Sequence, residues 1–166
     1  MGLMSVGGTG GGQYKNLVPP LTSTSQNGYK VTASSYRYTE NDVVKAFDGE
    51  TDNAAWGIGS DYTDRIFVNS SNTNQSITVE LPQAKEVRMV VILYTSPARQ
   101  GVGRAASISV SGSNDGSRYT PLDGAAATTG VFMRSKGDTT KYKYYKIDMT
   151  RESEFIGIIE LMLLGK

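Results

Sequence analysis

Apolar and polar residues alternate with a period of two in several short stretches. In SITVEL, Ile77, Val79 and Leu81 fall on one face; in SISVSGS, Ile108 and Val110; in YKYYKIDM, Tyr145, Ile147 and Met149. This period sends side chains alternately to the two faces of a strand and predicts half-buried β-structure. Two further runs, EVRMVVILY and FIGIIELMLL, are apolar at both parities, the pattern expected of strands lying deep in a sandwich. Turn residues separate these stretches: Pro82, Pro97, Asn114-Asp115-Gly116 and Asp123-Gly124. No helical stripe exceeds a turn or two, with NDVVKAF the candidate for one such turn, and no internal repeat is visible. The pattern predicts an all-β antiparallel sandwich over residues 29–166.

The pattern fails near the start. Six of the first twelve residues are Gly, and Leu3, Met4, Val6 and Tyr14 are the only sizeable apolar groups of an arm spanning residues 1–16. Glycine's backbone freedom makes such a segment costly to order alone, so it is either a mobile tail or a strap held by a partner. Residues 17–28, NLVPPLTSTSQNG without its first Asn, are expected to form a linker, extended at Pro19-Pro20 and turning at Asn27-Gly28. The N-terminus has no basic leader followed by an apolar run, and no stretch approaches the length of a membrane span, so membrane insertion is not expected.

Composition removes whole classes of chemistry. The 166 residues contain neither His nor Cys, which excludes Ser-His-Asp and Cys-His catalysis, imidazole or thiolate metal sites and disulfides. Any metal must be held by oxygen, which favours calcium or magnesium. With 17 Lys+Arg against 16 Asp+Glu, the net charge of +1 supplies no field for nucleic acid. The basic-aromatic run KYKYYK reads as a strand with Lys141, Lys143 and Tyr145 on one side and Tyr142, Tyr144 and Lys146 on the other. No carboxylate pair is singled out for glycoside chemistry, and no enzyme is expected.

Six motifs occur in a telling order: Ala33-Ser34-Ser35; Ala46-Phe47-Asp48-Gly49 with Thr51 and Trp56 downstream; Ile77-x-Val79-x-Leu81; the hairpin Ser113 to Tyr119; the aromatic strand KYYKIDM; and a closing strand with Glu160. Together they resemble the discoidin family, also called coagulation-factor C-type domains. The resemblance implies a galactose-binding-like jelly roll over residues 29–166. It departs from sugar-binding relatives at their Pro-Arg pair, here interrupted as Pro97-Ala98-Arg99, and in having no His.

Candidate sites follow. The Asp48 turn offers carboxylate, hydroxyl and carbonyl oxygens of the kind calcium takes. Glu160 stands among Ile158, Ile159, Leu161 and Met162, where an unpaired carboxylate is expensive to bury. It either shares a cation with the Asp48 turn, pairs with Lys or Arg, or lies at an exposed strand end. The resemblance implies the first, a structural calcium held by Asp48, Thr51 and Glu160. For a ligand, the fold implies a rim of loops at one end: Tyr36, Arg37 and Tyr38; Trp56, Asp61, Tyr62 and Arg65; and Arg99, Gln100 and Arg104. Aromatic faces with Arg suit a glycan, although Arg reads phosphate or carboxylate equally well, and Trp56 as the single Trp has a ready packing role by the turn.

Family members bind glycans, lipid headgroups or proteins, so function is chosen between recognition and architecture. The lead-in LVPPLTSTSQNG-YKVTASS is similar to segments that precede such domains in bacteriophage virion proteins. The expectation is a virion surface protein (a tail fibre, head fibre or decoration subunit) that attaches to host-surface carbohydrate. Its arm would dock on other virion proteins or bundle with identical arms, most simply as a trimer. A purely structural decoration subunit and a bacterial carbohydrate-binding module are the alternatives.

Overall fold

The computed structural model describes residues 13–51, 66–95, 102–128 and 130–166. Residues 1–12 of the arm expected over residues 1–16, and the candidates Trp56, Asp61, Tyr62, Arg65, Arg99 and Gln100, lie outside the described residues. In chain order the first strands are β1 (Lys15–Asn16), β2 (Ser25–Gln26), β3 (Tyr29–Ala33), β4 (Phe67–Val68), β5 (Gln75–Lys85) and β6 (Val87–Tyr94). Then come β7 (Val102–Gly103), β8 (Ala105–Ser113), β9 (Thr120–Pro121), β10 (Gly124–Thr128), β11 (Val131–Arg134), β12 (Tyr142–Arg151) and β13 (Phe155–Gly165). One sheet runs β1-β13-β6-β11-β10, with β4 and β7 also pairing on β13; the other runs β2-β3-β5-β12-β8-β9. Pairing is antiparallel except for the two-residue contact of β7 with β13. The result is the expected all-β jelly-roll sandwich.

The core lies between the sheets, where the alternating positions Ile77, Val79, Leu81, Val110, Tyr145, Ile147 and Met149 meet Val90, Ile92, Ile158, Leu161 and Leu163. Asn27 and Gly28 both take positive φ, 52° and 82°, and close the two-residue hairpin between β2 and β3. Among the described residues the one helical element is a 3-10 helix, Glu40–Ala46, overlapping the stretch picked out as a turn. It begins with the Asp42 carboxylate accepting the Thr39 N–H (3.2 Å) and buries Val43, Ala46 and Phe47.

Three features differ from the expectation. First, residues 17–28 do not behave as a linker. Leu17, Val18 and Leu21 are buried in the core, Leu17 N–H donates to Leu163 C=O (2.8 Å), and β1 pairs Lys15 with Gly165. The segment through Pro19-Pro20 is a strap laid on the sandwich, the Leu21 N–H donating to Phe47 C=O (2.8 Å). Second, β6 and β13 are central strands, but only β13 is buried at both parities, and only from Phe155 to Leu161. Their outward residues form two cross-strand rows, Met133–Met89–Leu164 and Val131–Val91–Met162, with Met133 50% exposed. Third, a bulge between Tyr142 and Tyr144 breaks the alternation of the lysine-tyrosine run. Tyr142 therefore packs against the core beside Tyr145, their ring centroids 6.0 Å apart and perpendicular.

Candidate functional site

The loop after β3 carries Tyr36, Arg37 and Tyr38 to one end of the sandwich. Its placement depends on Asn69, a fully buried residue just after β4. The Asn69 side chain accepts the Ile156 N–H (2.7 Å) and donates to Thr73 C=O (2.7 Å), tying the segment after β4 to the start of β13. The Ser70 hydroxyl then donates to Tyr36 C=O (2.9 Å), and the Arg37 N–H donates to Val68 C=O (2.9 Å). Asn72 N–H reaches Glu154 C=O (2.8 Å), which locks the β12–β13 hairpin to the same loops. Beneath them lies a second apolar cluster of Ile66, Val68, Val102, Phe155 and Ile159.

Tyr36 and Tyr38 are 40% and 55% exposed, while Arg37 is half-buried between aromatic rings. Its guanidinium carbon is 4.6 Å from the Phe155 ring centroid and 5.4 Å from that of Tyr38. Its Nη1 is buried with no protein hydrogen-bond partner. A guanidinium nitrogen left in this state is an unmet donor. Phe155 and Asn69 were not singled out from sequence; one reads as an ordinary core position, the other as a loop polar residue. Arg104 is brought to the same end, where its Nε donates to Glu152 Oε2 (2.7 Å) on the β12–β13 hairpin, both side chains being exposed. That ion pair holds the Glu152 carboxyl below the usual range.

The turn after the 3-10 helix forms a second site. Gly49 takes φ +79°, a conformation natural to glycine, and its N–H donates to Glu160 Oε2 (3.1 Å). Asp48 Oδ1 accepts the Glu50 N–H (2.9 Å). Thr51 follows and is exposed. Glu160 is 4% exposed on β13, and among the described residues neither Lys nor Arg pairs with it. Burial pushes its carboxyl up to about 8, against the pull of the Gly49 N–H and aided by the charges of Asp48 and Glu50. Asp48 is also raised, chiefly by burial. Two carboxyls thus converge, with the charge of Lys45 acting on Asp48 but none of the described basic groups bonded to Glu160, a donor set that suits a hard cation. Among the described residues no group of three or more acidic side chains assembles, so hydroxyl and backbone oxygens would have to complete such a shell.

No curated protein matches the chain by sequence. Solved structures match its fold. One is CpGH89CBM32-6 of Clostridium perfringens, at 15% identity and TM-score 0.58, covering 92% of this chain and all of that one. The family 32 carbohydrate-binding module of Clostridium perfringens NanJ, solved with galactose, has 17% identity and TM-score 0.57 over 86% and 98% of the two chains. Chitosan-binding module 1 of a chitosanase/glucanase from Paenibacillus sp. IK-5 has 17% identity and TM-score 0.61 over 91% and 98%. At these identities the likeness speaks for the sandwich. The F5/8 type C domain family matches residues 30–161, most of the chain and all six of its ordered motifs. The chain belongs to the F5/8 type C, or discoidin, family.

Proposed function

We propose that this domain is a non-catalytic glycan-binding module whose rim, built by Tyr36, Arg37 and Tyr38 over Phe155, contacts surface carbohydrate. The observation that carries it is the exposed pair Tyr36 and Tyr38 flanking a half-buried Arg37, whose guanidinium is held by the Tyr38 and Phe155 rings. The exposed Tyr36 and Tyr38 rings offer the flat apolar faces that stack on sugar rings. Related folds that were solved with or named for galactose, GalNAc-β-1,3-galactose and chitosan make carbohydrate the leading ligand class. Tyr62, Arg65 and Arg99 are carried in the proposal as further contributors, and Arg104 serves by steadying the hairpin through Glu152. The test is a glycan array with the parent and Arg37→Ala, folding being checked by circular dichroism. Loss of one charge-assisted hydrogen bond lowers affinity about tenfold or more. Unchanged binding by Arg37→Ala would remove the rim from the proposal.

Calcium completes the proposal. Asp48, Thr51 and Glu160, with backbone carbonyls of the turn, would hold it, and it would neutralise the buried Glu160 and half-buried Asp48 carboxyls and fix the turn against β13. The setting proposed is a virion surface reached on cell lysis, with the N-terminal arm attached to other virion proteins or to two identical arms, and with avidity from several copies offsetting a shallow rim. Finding the chain in purified particles by mass spectrometry, and losing it on deletion of residues 1–12, would support that setting; a chain absent from particles overturns it.

A further inference from the structure

The outward face of the six-stranded sheet is not an ordinary solvated surface. Cross-strand register places Ser76, Asp148 and Ser109 side by side on β5, β12 and β8, with Ser107 opposite Thr150 in the adjoining row. Ser34, just beyond β3, joins the first row, its hydroxyl accepting the Ser76 N–H (2.8 Å). These groups, with Asn74 and Gln75, line a depression of about 260 Å³. Nearly every side chain in it carries a hydroxyl, amide or carboxylate. Among the described residues the Ser76, Ser107, Ser109 and Thr150 hydroxyls have no protein partner. Asp148 has a single long contact, 3.6 Å to Lys146, whose ammonium is also held 5.0 Å from the Tyr119 ring centroid. The Asp148 carboxylate therefore keeps most of its acceptor capacity and is 46% exposed.

The depression is continuous with the rim. Ser34 leads directly to Ser35, whose hydroxyl contacts Thr73 (3.1 Å) and donates to Gln75 Oε1 (2.8 Å), and then to Tyr36. Four strands side by side span three interstrand spacings, roughly 14 Å, which is several times the width of one sugar ring. We propose that the Asp148 depression is a second subsite, which takes the neighbouring sugars of an oligosaccharide whose end sugar occupies the Tyr36–Tyr38 rim. The proposal rests on the glycan reading of the rim and narrows its ligand to a neutral or amino-sugar chain of three or more residues. Dense hydroxyls with one carboxylate match vicinal diols and amino groups through paired hydrogen bonds, whereas an acidic chain would be repelled by Asp148.

The test is an array of immobilised neutral glycans graded from one to eight sugars, probed with the parent, Arg37→Ala, Asp148→Ala and the double variant Ser76→Ala/Ser109→Ala. These sheet positions are outward-facing, so the fold tolerates them, which thermal melting checks. The parent should bind longer chains better than single sugars. Asp148→Ala should cut long-chain binding about tenfold while leaving single-sugar binding unchanged. The double variant should act in the same direction, and Arg37→Ala should weaken both lengths. If Asp148→Ala affects all lengths equally or none, the subsite is overturned while the rim stands. Loss with Asp148→Ala but not with Arg37→Ala keeps this face as a binding site and overturns the rim. No binding by the parent at any length overturns both.

Discussion

Glutamine at position 160 separates a calcium site from a merely buried acid. Glu160→Gln preserves side-chain volume and an oxygen for the Gly49 N–H but removes the charge that has no basic partner among the described residues. In chelator at neutral pH the parent must take up a proton to bury Glu160, whose carboxyl is pushed up to about 8, at a cost of a few kcal/mol, while the neutral amide costs about 1–3 kcal/mol for an unmatched N–H. The variant should then melt at or above the parent. Calcium reverses the order. At a hundredfold excess over its dissociation constant a ligand specific to the native state adds about 2.7 kcal/mol. A domain of this size gains about 2–4 °C per kcal/mol, so the parent should rise by roughly 5–10 °C. The variant should not move. The assay is differential scanning calorimetry of both proteins in chelator and across a calcium titration. Equal shifts in parent and variant, or no shift in the parent, would refute the reasoning.

Asn69→Ala removes the acceptor of the Ile156 N–H and the donor to Thr73, so urea titration should show a loss of about 3 kcal/mol, with weaker glycan binding as the loops separate. Asp138→Ala strands the Arg134 guanidinium, which is fully buried and bonded to Asp138 at 2.6 and 2.8 Å; a loss of about 3 kcal/mol is expected by the same measurement, since Asp138 itself is partly exposed. The Asp115 carboxylate accepts the N–H groups of Arg118 and Ser117, which hold its carboxyl well below the usual value of 3.8. A lowered native pKa gives stability that is present above pH 3.8 and is lost as pH falls toward the native value. Asp115→Asn should therefore lower the melting temperature at pH 7, with the gap closing in strong acid.

Local periodicity made the sandwich legible, because Ile77, Val79, Leu81, Ile147 and Met149 need only their own strand to declare which face is buried. Its limits show where a residue's fate depends on distant chain. Tyr142 gave no hint that a bulge would turn it toward the core. Leu17, Val18 and Leu21 looked like linker residues because their partners lie far along the chain, on β13 and the 47–49 turn. The β6 and β13 runs were apolar at both parities; β13 is buried on both faces from Phe155 to Leu161, yet its remainder and β6 share an outward-facing apolar surface, which the pattern alone cannot distinguish from burial. At the sites, Arg37 and Glu160 were legible from residue type and order. Phe155 under Arg37, the Asn69 clasp and the Asp148 row were not, since each is created by pairing between strands rather than by adjacent residues.

The two-residue ladder of β1 with β13 also fixes how the domain responds to tension. Because Lys15 faces Gly165 and Asn16 faces Leu164 in antiparallel sense, the chain leaves both strands at the same end of the ladder. A force drawing Tyr14 away from Lys166 therefore opens the hydrogen bonds one after another, as a zip, instead of loading them together in shear. The first resistance beyond that zip comes from Leu17, whose N–H is bound to Leu163 and whose side chain is in the core. Tension applied through the N-terminal segment would peel the strap before it disturbed the rim, leaving the Tyr36–Tyr38 loop and Asn69 clasp assembled while the anchoring edge yields.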